Sequence, residues 1–205
     1  MFTPGVLTFR EFAMQEPLPL ATIQEAVLEF LRGRKDAVLF GAQAVNAYIE
    51  EARMSQDIDL LSDRPTSLAD ELRSYLADKF NIAVRVRTVG KGRGLRLYQV
   101  RKKGNRHLVD IQEADPLPKA KRIAGILVLA PVDLAAYKFL SYCQRRGSPK
   151  SGTDWRDLAM LVLAFPELKR PSGQVVERLS ALGAGAEILE LWKEFVKQDI
   201  RLPDE

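Results

Sequence analysis

The sequence predicts an α+β chain: a small mixed sheet flanked by helices up to about residue 130, then a C-terminal helical bundle packed on it. Three observations carry this. Short apolar runs of strand length alternate before residue 130 with helix-period stretches and tight turns. From Pro131 onward only amphipathic helical patterns remain. Between them lies Asp57-Ile-Asp59, leading into Leu60-Leu61. On a strand these two carboxylates leave the same face, with Cα atoms about 6.5–7 Å apart. So close a pair repels, raising both pKa values, unless a cation lies between them. A hard divalent ion with oxygen ligands, Mg²⁺ above all, meets that need.

The elements follow in order. Residues 1–20 read as an irregular lead-in, broken by Pro4, Gly5, Pro17 and Pro19. Thr22 with Glu25 three residues on resembles a capping box, and Ile23, Val27, Phe30 and Leu31 recur at helical spacing. Ala37–Phe40 is a short buried strand ended by Gly41, and Ala42–Glu51 a helix. This strand–Gly–helix order sets helix N-terminal amides beside the Gly41 turn, where free N–H groups and the helix dipole favour a phosphate. Gln56–Leu61 is the second strand, and Thr66 or Ser67 opens a helix to about Phe80. Asn81–Val89 alternates as a half-exposed strand, and Gly90–Gly94 turns it into a hairpin with Leu95–Val100. Arg106–Gln112 is a further strand carrying Asp110, and Ile126–Leu129 the last. Helices are expected over Pro131–Arg146, Asp154–Phe165, about Gln174–Leu182 and Ala184–Val196, with Gly147-Ser-Pro149 as a break. The implied division is a lead-in at 1–20, a core at 21–130 and a helical region at 131–205.

Composition narrows the classes. The 205 residues are 46% hydrophobic, enough for a sizeable core. No apolar run approaches the roughly 18 residues of a membrane span, and the first residues do not resemble a signal peptide. Cys143 is the sole cysteine, which excludes an internal disulfide and agrees with a cytoplasmic location. With one histidine, His107, a His/Cys zinc site is also excluded. The net charge of +4 is concentrated. Arg85, Arg87, Lys91, Arg93, Arg96, Arg101, Lys102, Lys103 and Arg106 run without an acidic residue between them. This suits a polyanionic partner, or equally a solvated hairpin face.

Taken together, a strand ending in Gly41-Ala-Gln-Ala44, a helix, Arg53-Met-Ser-Gln-Asp-Ile-Asp59 and a later strand with Asp110 resemble the nucleotidyltransferase fold of the polymerase-beta type. The nearer resemblance is to the AbiEii/MenT-like bacterial toxin nucleotidyltransferases. It extends to Pro131-Val-Asp-Leu-Ala-Ala-Tyr-Lys138, Arg145-Arg146 and Asp154-Trp-Arg-Asp-Leu158, and so covers roughly residues 20–165. Ala42 departs from the family turn, keeping a backbone N–H but no hydroxyl.

The resemblance implies a nucleotidyltransferase that moves an NMP from an NTP, ATP included, to a hydroxyl acceptor. That acceptor is an RNA end such as tRNA, a protein side chain or a small molecule, and a toxin–antitoxin system would add an antitoxin partner. Asp57, Asp59 and Asp110 would be catalytic and hold two Mg²⁺ ions, with Mn²⁺ as an alternative. Gly41, Ala42, Gln43, Arg53, Ser55 and Lys138 would bind the nucleotide. Other readings stand beside these. Asp110 could be a structural ion-pair residue, and Lys138 could pair with Asp154 or Asp157. Strand alternation puts the His107 side chain on the face opposite Asp110, giving it a structural role. Cys143, Trp155 and Trp192 read as packing residues. The alternative to an enzyme is a catalytically inactive relative that binds nucleic acid or protein.

Overall fold

In the computed structural model, which describes residues 18–202, the chain forms two compact units, Met1–Leu129 and Ala130–Glu205. The expected lead-in falls, up to residue 17, outside the described residues. In the first unit α1 (Leu20–Leu31) starts from Pro19 with no side-chain cap. The capping box expected at Thr22 and Glu25 therefore does not form, and both residues lie inside the helix. Strand β1 (Ala37–Phe40) has the expected bounds. The helix after it, α2 (Gly41–Asn46), is shorter than the predicted 42–51. Asn46 explains the stop. Its side chain accepts from the Arg53 amide (3.1 Å) and donates to the Arg53 carbonyl (2.7 Å). A side chain that pairs with distant backbone in this way competes with helix continuation.

Strand β2 (Ile58–Ser62) follows, then α3 (Pro65–Phe80), with Pro65 in its first turn and Asn81 in the left-handed region at its end. Strands β3 (Val84–Val89) and β4 (Gly94–Gln99) flank a 3-10 turn, Gly90–Gly92. β5 (Arg106–Glu113), β6 (Ala120–Ile123) and β7 (Ile126–Leu129) complete the sheet. β6 was not expected. Its Lys121 and Arg122 are exposed, so no apolar alternation marks it.

The seven strands lie in the order β3-β4-β5-β2-β1-β7-β6. The β2–β5 and β1–β7 pairs are parallel and the rest antiparallel, which makes the sheet mixed as predicted. Its faces differ. One carries Leu39, Leu60, Ile111 and Leu97, all fully buried. Helices α1 and α3 cover it, burying Ile23, Val27 and Leu31 from α1 and Leu68, Leu72 and Leu76 from α3. At about 1.5–3 kcal/mol for each fully buried aliphatic side chain, this face holds the unit together. The other face carries a row of paired positions across five strands: Arg87, Arg96, Asp110, Asp59 and Phe40.

The second unit contains α4 (Pro131–Gln144), α5 (Pro149–Ala164), a 3-10 turn, α6 (Gln174–Ala181) and α7 (Ala186–Lys197). Its core centres on Phe139, with Trp192 edge-on at 5.0 Å between centroids and Phe195 at 5.9 Å. Pro149, read from sequence as a breaker, opens α5 instead, because a first-turn proline gives up no helical hydrogen bond. Asp154 and Asp157 consequently lie inside that helix, buried.

Candidate active site

The site is assembled from neighbouring strands. Asp57 immediately precedes β2, Asp59 lies on it, and Asp110 is the register partner of Asp59 on parallel β5. Paired positions share a face, so the carboxylates at 59 and 110 emerge side by side. The segment before β2 is pinned at three points. Gln24 Nε2 donates to the Ser55 carbonyl (2.9 Å), Ser55 Oγ donates to the Asp57 carbonyl (2.9 Å), and Asn46 holds the Arg53 backbone.

Gly41 sits against this row, because Phe40 is the antiparallel partner of Asp59. Its φ of +71° disfavours any residue with a side chain. A Cβ there would lie 2.0 Å from Asp59 Oδ2 and 2.9 Å from Asp59 Cβ. The glycine is therefore required for close approach to the carboxylate as well as for the turn.

Asp110 is held by a guanidinium and an imidazole. Arg96 Nε and Nη2 donate to its two oxygens, each at 2.8 Å, as a planar fork. His107 Nε2 lies 2.9 Å from Oδ1. Burial pushes the Asp110 carboxyl up, but the hydrogen bonds from Arg96 and His107 and their charges outweigh it and hold the pKa at about 2. The carboxylate is ionised at any physiological pH.

The position of His107 corrects the sequence expectation. Its Nδ1 lies 3.3 Å from Asp57 Oδ2, so the ring spans Asp57 and Asp110 on the same face. The cause is a β-bulge. Leu97 pairs with Val109 but Tyr98 pairs with His107, leaving Leu108 as an extra residue on β5. One inserted residue reverses the side-chain parity before it. Asp57, His107 and Asp110 each bring one ligand atom within 4.8 Å of the others.

The remaining expected residues fall as follows. Ala42 and Gln43 open α2 beside Gly41, Ala42 buried and Gln43 half-buried. Arg53 Nη1 donates to the Met54 carbonyl (3.1 Å). Lys138 belongs to the second unit, where its Nζ lies 2.7 Å from Asp157 and 3.4 Å from Asp154. Arg145 reaches Asp154 at 2.9 Å. These are the pairings weighed for Lys138 beside nucleotide contact. Burial pushes the Cys143 thiol up, in keeping with a packing residue. Within the basic stretch, Arg96 is committed to Asp110 and Arg87 lies over the Tyr98 ring at 4.8 Å. Arg85, Arg93, Arg101, Lys102 and Lys103 are exposed.

The donor set fits a divalent ion. Asp57, His107 and Asp110 each offer a ligand atom within 4.8 Å of the others, and Asp59 is the cross-strand partner of Asp110. Mg²⁺ and Mn²⁺ take few protein carboxylates together with water and phosphate oxygens.

Comparisons with known proteins identify the fold and the family. The family model described as nucleotidyl transferase AbiEii toxin, type IV TA system, matches residues 25–182. No curated protein matches the chain. The polyadenylate synthase of Megavirus is similar in structure, with TM-score 0.58 and 16% identity over 72% of this chain, which spans only 32% of that protein. JHP933 from Helicobacter pylori is similar with TM-score 0.57 and 14% identity, covering 94% of this chain and 95% of that one. At such identities these likenesses show the fold, a mixed sheet of the nucleotidyltransferase type. The family model, matched over most of the chain, shows the rest: the protein belongs to the AbiEii family of nucleotidyltransferase toxins.

Proposed function

We propose that the protein is a divalent-metal-dependent nucleotidyltransferase that moves an NMP from an NTP to a hydroxyl acceptor, an RNA end such as tRNA, and acts as the toxin of a toxin–antitoxin pair. The observation that carries the reading is the cross-strand row, which puts Asp59 between the Gly41 turn and the Arg96-held Asp110. Asp57 and Asp59 are the metal-holding carboxylates, and Asp110 completes the acidic site. A bound ion supplies positive charge to the phosphate oxygens and to the attacking and leaving oxygens of an in-line displacement. The acceptor hydroxyl oxygen forms a bond to the α-phosphorus and gives up its proton to solvent, the bond from that phosphorus to the bridging oxygen breaks, and pyrophosphate leaves.

The chain's own residues orient this reaction. The Gly41 turn and the amides of Ala42 and Gln43 cradle the outer phosphates. Ser55 and Arg53 keep the Asp57 segment in place through their own hydrogen bonds. The exposed cations of β3 and of the 101–103 loop favour a polyanionic acceptor, which makes RNA the preferred class over a protein side chain. No helix among the described residues is long and apolar enough to cross a membrane.

One observation favours a second reading, a catalytically silent binding module: Asp110 is already engaged by Arg96 and His107. Incubation with each α-labelled NTP, Mg²⁺ or Mn²⁺ and total RNA separates the two. The enzyme labels RNA and the Asp57→Ala/Asp59→Ala protein does not. A folded wild-type chain that binds RNA but transfers nothing supports the module.

A further inference from the structure

His107 is the only histidine in the chain, and both of its ring nitrogens face carboxylates of the candidate site. We propose that His107 is a metal ligand through Nδ1, with Asp110 as its positioning carboxylate, so that the site favours a first-row transition ion over Mg²⁺. This rests on the nucleotidyltransferase reading above and specifies how its metal is held.

The geometry of Asp110 comes first. Its Oδ1 is approached by both Arg96 Nε and His107 Nε2, and its Oδ2 by Arg96 Nη2. Three contacts and a guanidinium in bidentate contact leave it a weak donor to a cation, because Arg96 already neutralises its charge. They suit it to another task. Accepting from Nε2 fixes the His107 proton on that nitrogen and turns the Nδ1 lone pair outward. Nδ1 then faces Asp57 Oδ2 at 3.3 Å. Two lone pairs at that distance repel each other unless a proton or a metal ion lies between them, and the metal ion is the arrangement proposed here. Ligand atoms at right angles around one ion, with bonds of about 2.1 Å, stand roughly 3 Å apart, close to the observed separation. The chain Arg96–Asp110–His107 thus has the form of a carboxylate–histidine–metal support, with the arginine behind it.

The donor type sets the preference. Mg²⁺ takes oxygen and keeps its water, whereas an imidazole nitrogen adds affinity for first-row transition ions. The β-bulge at Leu108 is the feature that delivers the nitrogen, since regular alternation would turn the ring away.

The test uses full-length protein without a histidine tag and Mn²⁺ as the probe, read by pulsed electron paramagnetic resonance. Bound Mn²⁺ is expected to show coupling to imidazole ¹⁴N, and the coupling is expected to change to the ¹⁵N pattern when histidine alone is ¹⁵N-labelled. A sole histidine makes the assignment unambiguous without any variant. In calorimetric titration, His107→Gln is expected to lose the coupling and at least tenfold in Mn²⁺ affinity, with Mg²⁺ affinity changed less than threefold. Asp110→Asn is expected to weaken Mn²⁺ about 10–100-fold. Mn²⁺ bound without nitrogen coupling, yet lost in Asp57→Ala/Asp59→Ala, overturns the role of His107 and leaves the nucleotidyltransferase reading intact. Mn²⁺ binding that survives the double aspartate substitution overturns both.

Discussion

Gly41→Ala is the sharpest perturbation of the site. Two costs separate. A residue with a Cβ at φ +71° carries left-handed strain of about 1–2 kcal/mol. The added Cβ also meets Asp59 Oδ2 at 2.0 Å, where ordinary contact begins at 3.4 Å, so that oxygen must retreat by about 1.4 Å. Rotating the side chain is no remedy, because Asp59 Cβ itself lies 2.9 Å away and does not move with χ1. The β2 backbone must therefore shift. A misplacement near 1 Å costs about 100-fold in rate, or roughly 2.7 kcal/mol of transition-state stabilisation. Gly33→Ala is the control. Gly33 also has a positive φ, +77°, but an added Cβ meets nothing within 4 Å. Gly33→Ala is expected to lose about 1–2 kcal/mol in urea unfolding, and Gly41→Ala about 1–3 kcal/mol more for the forced shift, while only Gly41→Ala loses nucleotide transfer. Transfer by Gly41→Ala within threefold of the Gly33→Ala rate would refute the close-approach argument.

Other perturbations address the frame. Trp192→Ala, at a fully buried site stacked against Phe195 and edge-on to Phe139, is expected to cost roughly 3–5 kcal/mol, read in the unfolding of the second unit. Lys138→Ala removes the ammonium 2.7 Å from the buried Asp157 carboxylate and is expected to cost about 1.5–3 kcal/mol; an unchanged unfolding midpoint contradicts the pairing. Asp110 and Asp36 both have folded pKa values of about 2 against an ordinary 3.8. In each, burial pushes the pKa up and the arginine hydrogen bonds outweigh it. Depressed carboxylates stabilise the fold fully above the unfolded value, so stability should fall as pH drops from about 4 through 2. Arg96→Met, which removes the fork on Asp110, is expected to flatten part of that decline in acid titration.

The division between what the sequence showed and what it hid follows from physics. β1 and β7 were legible to the residue, because four apolar residues bounded by turn or breaker residues have few alternatives. Asp59 falls on a strand as the apolar run Ile58–Leu61 implies, whereas Asp57, expected on that strand, immediately precedes it. The end of α2 was not, since Asn46 stops it through a bond to Arg53 seven residues away. His107 was placed on the wrong face because a bulge reverses parity and leaves no mark in a run such as Arg106-His-Leu-Val-Asp110. Arg96 looked like one of many hairpin cations. Its pairing with Asp110 depends on the β4–β5 register, which the 101–105 loop does not announce. The sequence suggests a turn and a phosphate contact at Gly41, and its contact with Asp59 appears only once β1 and β2 are paired.

The central claim is that an NMP is transferred by the Asp57–Asp59 site. Parallel reactions with NTP labelled at the α- or the γ-phosphate, in the presence of Mn²⁺ and total RNA, test it most directly. The account predicts that α-label enters RNA, γ-label appears only in pyrophosphate, and Asp57→Ala/Asp59→Ala abolishes both. Transfer of the γ-label, or α-label transfer that survives the double substitution, would contradict it.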